Sequence, residues 1–164
     1  VTEDDVVAKI AELCCPATSI RAAQFLGIGD DAAVWQPSRS HRSVISTDML
    51  VEDVDFTRAS MSLEDAGWKA MASNVSDLAA MGARPVLATV ALGLPAAIDP
   101  SEILTLYRGI AGCARAYKLT IAGGDLSRSA AIVIAITVVG DVRPSGIKAR
   151  SGALPGDVLA VTGH

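Results

Sequence analysis

Three groups of oxygen-bearing residues stand at breaks between apolar runs: Asp30 and Asp31 after a GIG tripeptide, Ser46-Thr47-Asp48, and Gly123-Gly124-Asp125. Carboxylates at such breaks can converge in a fold. Oxygen donors of this kind suit Mg²⁺, a hard ion that keeps several waters and is commonly held by one or two carboxylates together with substrate phosphates. The neighbouring glycines let backbone N–H groups approach phosphate oxygens closely. The combination reads as a magnesium–phosphate site. Each piece also has a plainer reading. GDD and GGD both fit ordinary turns, Arg150 fits a solvated loop, and Lys69, Ser73, Asn74, Ser76 and Asp77 fit the wet side of a helix, on which Asn74 and Asp77, three apart, are neighbours. There is no GxxxxGK[ST] P-loop. His41 falls in a polar turn and His164 at the end of the chain, so no Ser/His or Cys/His nucleophile takes shape and covalent catalysis is not expected.

The elements that must position these groups are legible in outline. Val6, Val7, Ile10, Leu13 and Cys14 recur at helical spacing behind an acidic first turn, and Pro16 stops that helix. Ala32–Trp35 and Arg42–Met49 read as strands joined in a hairpin by QPSRSHR. Ser62 with Asp65 resembles a capping box for a helix running to Met81 and ended by Gly82 and Pro85. Pro85–Leu94 reads as a strand closed by Pro95. Asp99, Pro100 and Glu102 open a second long helix, to about Tyr117. Strands at Leu119–Ala122, Ala130–Val139 and Val158–Thr162 complete the order. Strands followed by alternating helices and strands favour two layers, with helices on one face of a sheet. Ala130–Val139 is apolar on both sides, so its second face should be buried by something beyond the local helices.

The chain has 164 residues, 51% of them hydrophobic but only 4% aromatic, so a core of Val, Ile, Leu, Met and close-packed Ala is expected in a single domain. A formal charge of −4 gives no general attraction to a polyphosphate backbone, and nucleic acid is not an expected partner. The longest apolar run, Ala130–Gly140, is about half the roughly 20 residues that cross a bilayer. The acidic start is unlike a secretory or mitochondrial presequence, which makes a cytoplasmic setting the expectation. Cys14, Cys15 and Cys113 have no metal-ligand spacing and read as reduced and structural. The end, GDVLAVTGH, stops just past an expected strand. It reads as a cut, with the 164 residues one half of something longer.

Five strings, GIGDDAAVW (27 to 35), STDMLVEDVDF (46 to 56), NVSDLAAMGARP (74 to 85), IAGGDLSRS (121 to 129) and RSGALPGDVLAVTG (150 to 163), together resemble the thiamine-monophosphate kinases. These belong to the superfamily that also includes aminoimidazole-ribotide synthase, selenophosphate synthetase and a hydrogenase-maturation enzyme. The resemblance implies an α+β fold: a mainly four-stranded mixed or antiparallel sheet, helices on one face, and the other face at a homodimer interface. It also implies that residues 1–164 are a single N-terminal ATP- and magnesium-binding domain, with the start of a linker or second domain near 150–164 and the C-terminal domain absent. It implies Mg²⁺ ligands at Asp31, Ser46, Thr47, Asp48, Asp77 and Asp125, and nucleotide positions at Tyr107, Gly124, Asp125 and Arg150. The family position that meets the substrate phosphate is usually His in a VxxxHF stretch. Here VEDVDF places Asp55 there, an anion where a cation would meet a phosphate, so a metal intervenes, the substrate sits differently, or specificity has drifted.

The implied activity is ATP-dependent phosphorylation of thiamine monophosphate to the diphosphate, by in-line attack of the substrate phosphate on the γ-phosphate. Metal-bound carboxylates and Arg150 would offset the repulsion between two anions. Two alternatives remain open at this point: another ATP-using member of the superfamily acting on a different substrate, and a non-catalytic nucleotide-binding and dimerisation module.

Overall fold

The computed structural model describes residues 2–14, 25–26, 28, 34–35 and 38–161. Three helices and a four-stranded sheet form its body. The helices are α1 (Glu3–Cys14), α2 (Leu63–Ala80) and α3 (Pro100–Ala116). The long strands are β3 (Arg42–Val51), β4 (Arg84–Leu94), β5 (Thr120–Arg128) and β6 (Val133–Val142). Two short strands, β1 (Phe25–Leu26) and β2 (Val34–Trp35), pair with each other as a separate ribbon.

Local chemistry starts and stops the two long helices where the sequence indicates. The Ser62 hydroxyl accepts the Asp65 N–H, and the chain leaves α2 through Gly82 at φ +71. At α3 the Asp99 carboxylate and the Glu102 side chain satisfy each other's backbone N–H groups, with Pro100 in the first turn. The helices then cross almost backbone to backbone. A Cβ on Gly109 would enter the van der Waals shell of the Glu64 carbonyl oxygen, and one on Gly67 that of the Leu106 carbonyl oxygen.

The sheet order is β3-β6-β4-β5, with β6 antiparallel to both neighbours and β4 parallel to β5. This is the expected mixed four-stranded sheet with helices on one face. Period-two alternation separates the faces. Ile134, Ile136 and Val138 of β6 and Val90 and Leu92 of β4 are buried beneath the helices, each contributing about 1.5–3 kcal/mol. The other face carries rows fixed by the register: Ile45, Val139 and Leu87; Thr47, Thr137 and Thr89; Met49, Ala135 and Ala91. Ile45 and Met49 are 68% and 59% exposed there.

Three expected elements differ. The 32–35/42–49 hairpin does not form: β3 spends its ladder on β6, ten residues long, and β2 pairs with β1. Residues 32–33 lie outside those described. The strand expected at Leu119–Ala122 continues through both glycines to Arg128, so GGD is strand rather than turn, because a Cβ on Gly124 would collide with the Val90 carbonyl and only glycine lets β5 approach β4 there. Val158–Val161 forms no strand; Val158, Leu159 and Val161 are almost wholly exposed, with no sheet edge beside them to pair with. No helix among the described residues is long and apolar enough to cross a membrane.

Candidate functional site

The seam between α2 and β3 concentrates the polar chemistry. β3 is an edge strand, and alternation turns Ser46 and Asp48 toward α2 and Thr47 to the open face. Ser46 Oγ donates to Asp77 Oδ2 at 2.5 Å. Three residues earlier on α2, Asn74 Oδ1 accepts the backbone N–H of Asp48 at 3.0 Å, while its own amide donates to the Ala70 carbonyl at 2.9 Å. Asn74 is 1% exposed. Helical neighbours at i and i+3 thus grip strand neighbours at i and i+2, locking α2 to the edge strand in one register. Ser46, Asp48 and Asp77 give an all-oxygen donor set of two carboxylates and a hydroxyl, which fits a hard divalent cation.

The same seam ends in the turn after β3. Asp53 there is left-handed, at φ +65. The Asp55 carboxylate, exposed to solvent, is tied to its own turn: its Oδ2 accepts the Val51 N–H at 2.8 Å, as short polar side chains do in turns. Lys69 Nζ of α2 donates to the Asp55 carbonyl at 2.7 Å. Two cations meet this turn: Lys69, and Arg58, which is paired with Glu52 and Glu102.

At the opposite edge of the sheet a cavity of about 150 Å³ is lined by Val7 and Ile10 of α1, Tyr107 of α3, and Gly123, Gly124 and Asp125 of β5, with aliphatic side chains closing it. Below the roughly 300–1,000 Å³ of drug-sized pockets, it has room for a fragment such as one ring system. Burial, with a smaller contribution from neighbouring Cys14, pushes the Tyr107 phenol well above its ordinary range, so it presents a neutral ring and hydroxyl. Three of the four expected nucleotide positions thus share one cavity wall. The fourth, Arg150, sits on the exposed stretch after the 3₁₀ turn Pro144–Gly146 and does not line it.

One chain does not bring the expected metal set together. Ser46, Asp48 and Asp77 sit at the β3 edge, and Asp125 on β5, three strand spacings or about 14 Å away. Its register puts Asp125 in the row of Ala91, Ala135 and Met49, on the face opposite Ser46. The Thr47 hydroxyl donates to the Ile136 carbonyl at 3.0 Å and accepts from Thr137 at 3.1 Å. Asp31 lies outside the described residues. Among the described residues no three His, Cys, Asp or Glu side chains cluster as a metal site. Elsewhere, His41 caps its own turn through Ser38 and Ser40, and Cys14 and Cys113 are buried and form no disulfide among the described residues.

Sequence reasoning missed two residues of the seam. Asn74 reads as solvated beside Ser73 and Ser76, yet its place four residues after Ala70 and four before Leu78, both buried, marks the inward face. Lys69 carries no comparable signal, because its contact is with a backbone carbonyl.

Residues 29–142 match the model of the AIR synthase related protein family, N-terminal domain. Thiamine-monophosphate kinase of Synechococcus elongatus is 42% identical over 135 residues, 82% of this chain and 41% of that protein. The crystal structure of thiamine-monophosphate kinase from Stenotrophomonas maltophilia superposes with a TM-score of 0.70 at 35% identity, covering 88% of this chain and 42% of that one. AaThiL complexed with AMPPCP and TMP gives 0.67 at 34% identity, covering 73% and 38%. The chain spans less than half the length of these relatives. With the strand order, the helices on one face and this match across both site-bearing edges, the chain belongs to the AIR synthase related family as an N-terminal domain, homologous to that of thiamine-monophosphate kinases.

Proposed function

We propose that the protein carrying this chain transfers the γ-phosphoryl group of ATP to thiamine monophosphate, yielding thiamine diphosphate and ADP. The observation that carries this reading is the α2–β3 seam, an oxygen-donor set held rigidly on an edge strand in a chain whose relative AaThiL is described in complex with AMPPCP and TMP. An oxygen of the acceptor phosphate attacks the γ-phosphorus, and the bond to the β-phosphate oxygen breaks. The acceptor is already anionic, so no base is required, and the protein's task is to hold two anions in line.

Ser46, Asp48 and Asp77 are the residues that would hold Mg²⁺, which when bound neutralises phosphate charge. Asn74 fixes the backbone of Asp48. Tyr107 and Gly124 line the cavity for part of the nucleotide, with Asp125 at its rim. Thr47 remains a proposed Mg²⁺ ligand and Arg150 a proposed nucleotide contact that this single chain does not join to the seam, and Asp31, outside the described residues, remains a proposed Mg²⁺ ligand. The open sheet face, with Ile45 and Met49 exposed around a threonine row, is the proposed homodimer interface. The segment near 150–164, in which Leu154, Val158, Leu159 and Val161 are exposed, is proposed as the start of a linker or second domain.

Changing Asp48 or Asp77 to Asn in the complete gene product tests the reading. Turnover should fall by about 100-fold or more, because loss of a charged ligand removes several kcal/mol of charge stabilisation and each 1.36 kcal/mol is tenfold. Circular dichroism should show the fold retained. Near-wild-type turnover at saturating Mg²⁺ would sink it.

The wide separation of Asp125 from the seam favours a second reading for the isolated chain, that of a nucleotide-binding and dimerisation module with half a site. Calorimetry separates the two: ATP–Mg²⁺ binding as tight as in the complete protein makes the half-site self-sufficient, and none makes it dependent on the remainder.

A further inference from the structure

Along the α2–β3 seam the polar contacts fall in one line. Asp77 meets Ser46, Asn74 meets the backbone of Asp48, and Lys69 meets the turn that carries Asp55. Lys69, Ser73 and Asp77 are spaced by four along one stripe of the helix, so its two ends are about 12 Å apart. One end is carboxylate and the other is ammonium. Among the described residues, no carboxylate forms an ion pair with Lys69. Asp65, one helical turn earlier on α2, accepts the Ser62 hydroxyl at 2.6 Å, and the acidic side chains of the turn have partners of their own. Glu52 pairs with Arg58 at 2.9 Å and accepts the Ile132 N–H at 3.0 Å, and the Asp55 carboxylate is taken by the Val51 N–H. Asp53 stands exposed on its left-handed turn. Lys69 is half-buried, and one of its three N–H donors is spent on the Asp55 carbonyl. Its head group is thus held in place by a backbone carbonyl rather than by an ion pair, with two N–H donors unspent.

We propose that Lys69 is the acceptor-phosphate ligand, its ammonium binding the anionic phosphate that receives the transferred group at the turn carrying Asp55. The assignment rests on the phosphotransfer reading above. It supplies the electrostatics that reading needs, with carboxylates and metal at the donor end of the seam and a fixed ammonium at the acceptor end. A side chain already held by the Asp55 carbonyl loses little further freedom when a phosphate arrives. It also accounts for an anionic residue at position 55: that carboxylate serves the turn, and recognition passes to α2.

The test compares wild type, Lys69→Met, Lys69→Gln and Lys69→Arg in the complete gene product, with thiamine monophosphate as substrate and unphosphorylated thiamine as competing ligand. Lys69→Met and Lys69→Gln should raise KM for thiamine monophosphate about tenfold or more. KM for ATP and the inhibition constant of thiamine should stay within about twofold, and Lys69→Arg should recover most of the loss. Gln keeps a donor for the Asp55 carbonyl, so the charge is still tested if Met disturbs folding. A lysine that merely ties the turn to α2 would weaken thiamine and its monophosphate alike, and that result, or an unchanged KM for the monophosphate, overturns the proposal alone. Wild-type protein inert toward thiamine monophosphate overturns both this and the phosphotransfer reading.

Discussion

Replacing Asn74 by Ala removes the joint between α2 and the strand that carries Asp48. Two hydrogen bonds go, one from the Asp48 N–H at 3.0 Å and one to the Ala70 carbonyl at 2.9 Å. The Ala70 carbonyl lies within the helix, where the ladder already offers it a donor. The Asp48 N–H points outward from an edge strand and has no second strand to turn to. An unsatisfied part-buried donor costs about 1–3 kcal/mol. With a urea slope near 2 kcal/mol per molar, the midpoint should drop by about 0.5–1.5 M. Ser76→Ala, an exposed change two residues along the helix, is the control and should stay within about 0.5 kcal/mol. Urea melts of the three proteins followed by circular dichroism decide the matter. An Asn74→Ala protein as stable as the Ser76→Ala control would refute the claim that this amide holds the seam together.

Other consequences are as direct. Gly109→Ala places a methyl group against the Glu64 carbonyl and 2.8 Å from the Trp68 nitrogen; helix overpacking of this kind costs about 1–3 kcal/mol, so a thermal melt should fall by at least about 2 °C. An unchanged melting point would mean α2 and α3 do not cross as described. Stability should also fall at alkaline pH. Burial raises the Cys113 thiol to about 11 from 9.0 and raises the Tyr107 phenol as well. The folded chain therefore keeps protons that the unfolded chain releases, so the stabilisation is complete below pH 9 and is lost progressively above it. Urea midpoints that stay flat from pH 8.5 to 11 would contradict this burial.

What was legible in the sequence was mostly local. Ser62, Asp99, Pro100 and Gly82 announce helix ends because each acts within a turn of its own position. The hairpin expectation failed because the true partner of β3 lies some ninety residues on, where no local signal reaches: Ser46 pairs with Val138. GGD misled for a different reason. Glycine marks turns, but at Gly124 it marks the close approach of a neighbouring strand. One signal was present and went unused. Once residues 42–49 are read as strand, Ser46 and Asp48 must share a face and Thr47 must take the other. The split of the oxygen donors between the β3 and β5 edges is a property of strand order, which pairs distant segments and has no trace in any motif.

The central claim is phosphoryl transfer from ATP to thiamine monophosphate. Its most direct test incubates the complete gene product with ATP, Mg²⁺ and thiamine monophosphate and separates the products by chromatography. Thiamine diphosphate and ADP should appear together in equal amounts, and omission of Mg²⁺ should abolish both. ADP formed with thiamine monophosphate left intact would contradict the account.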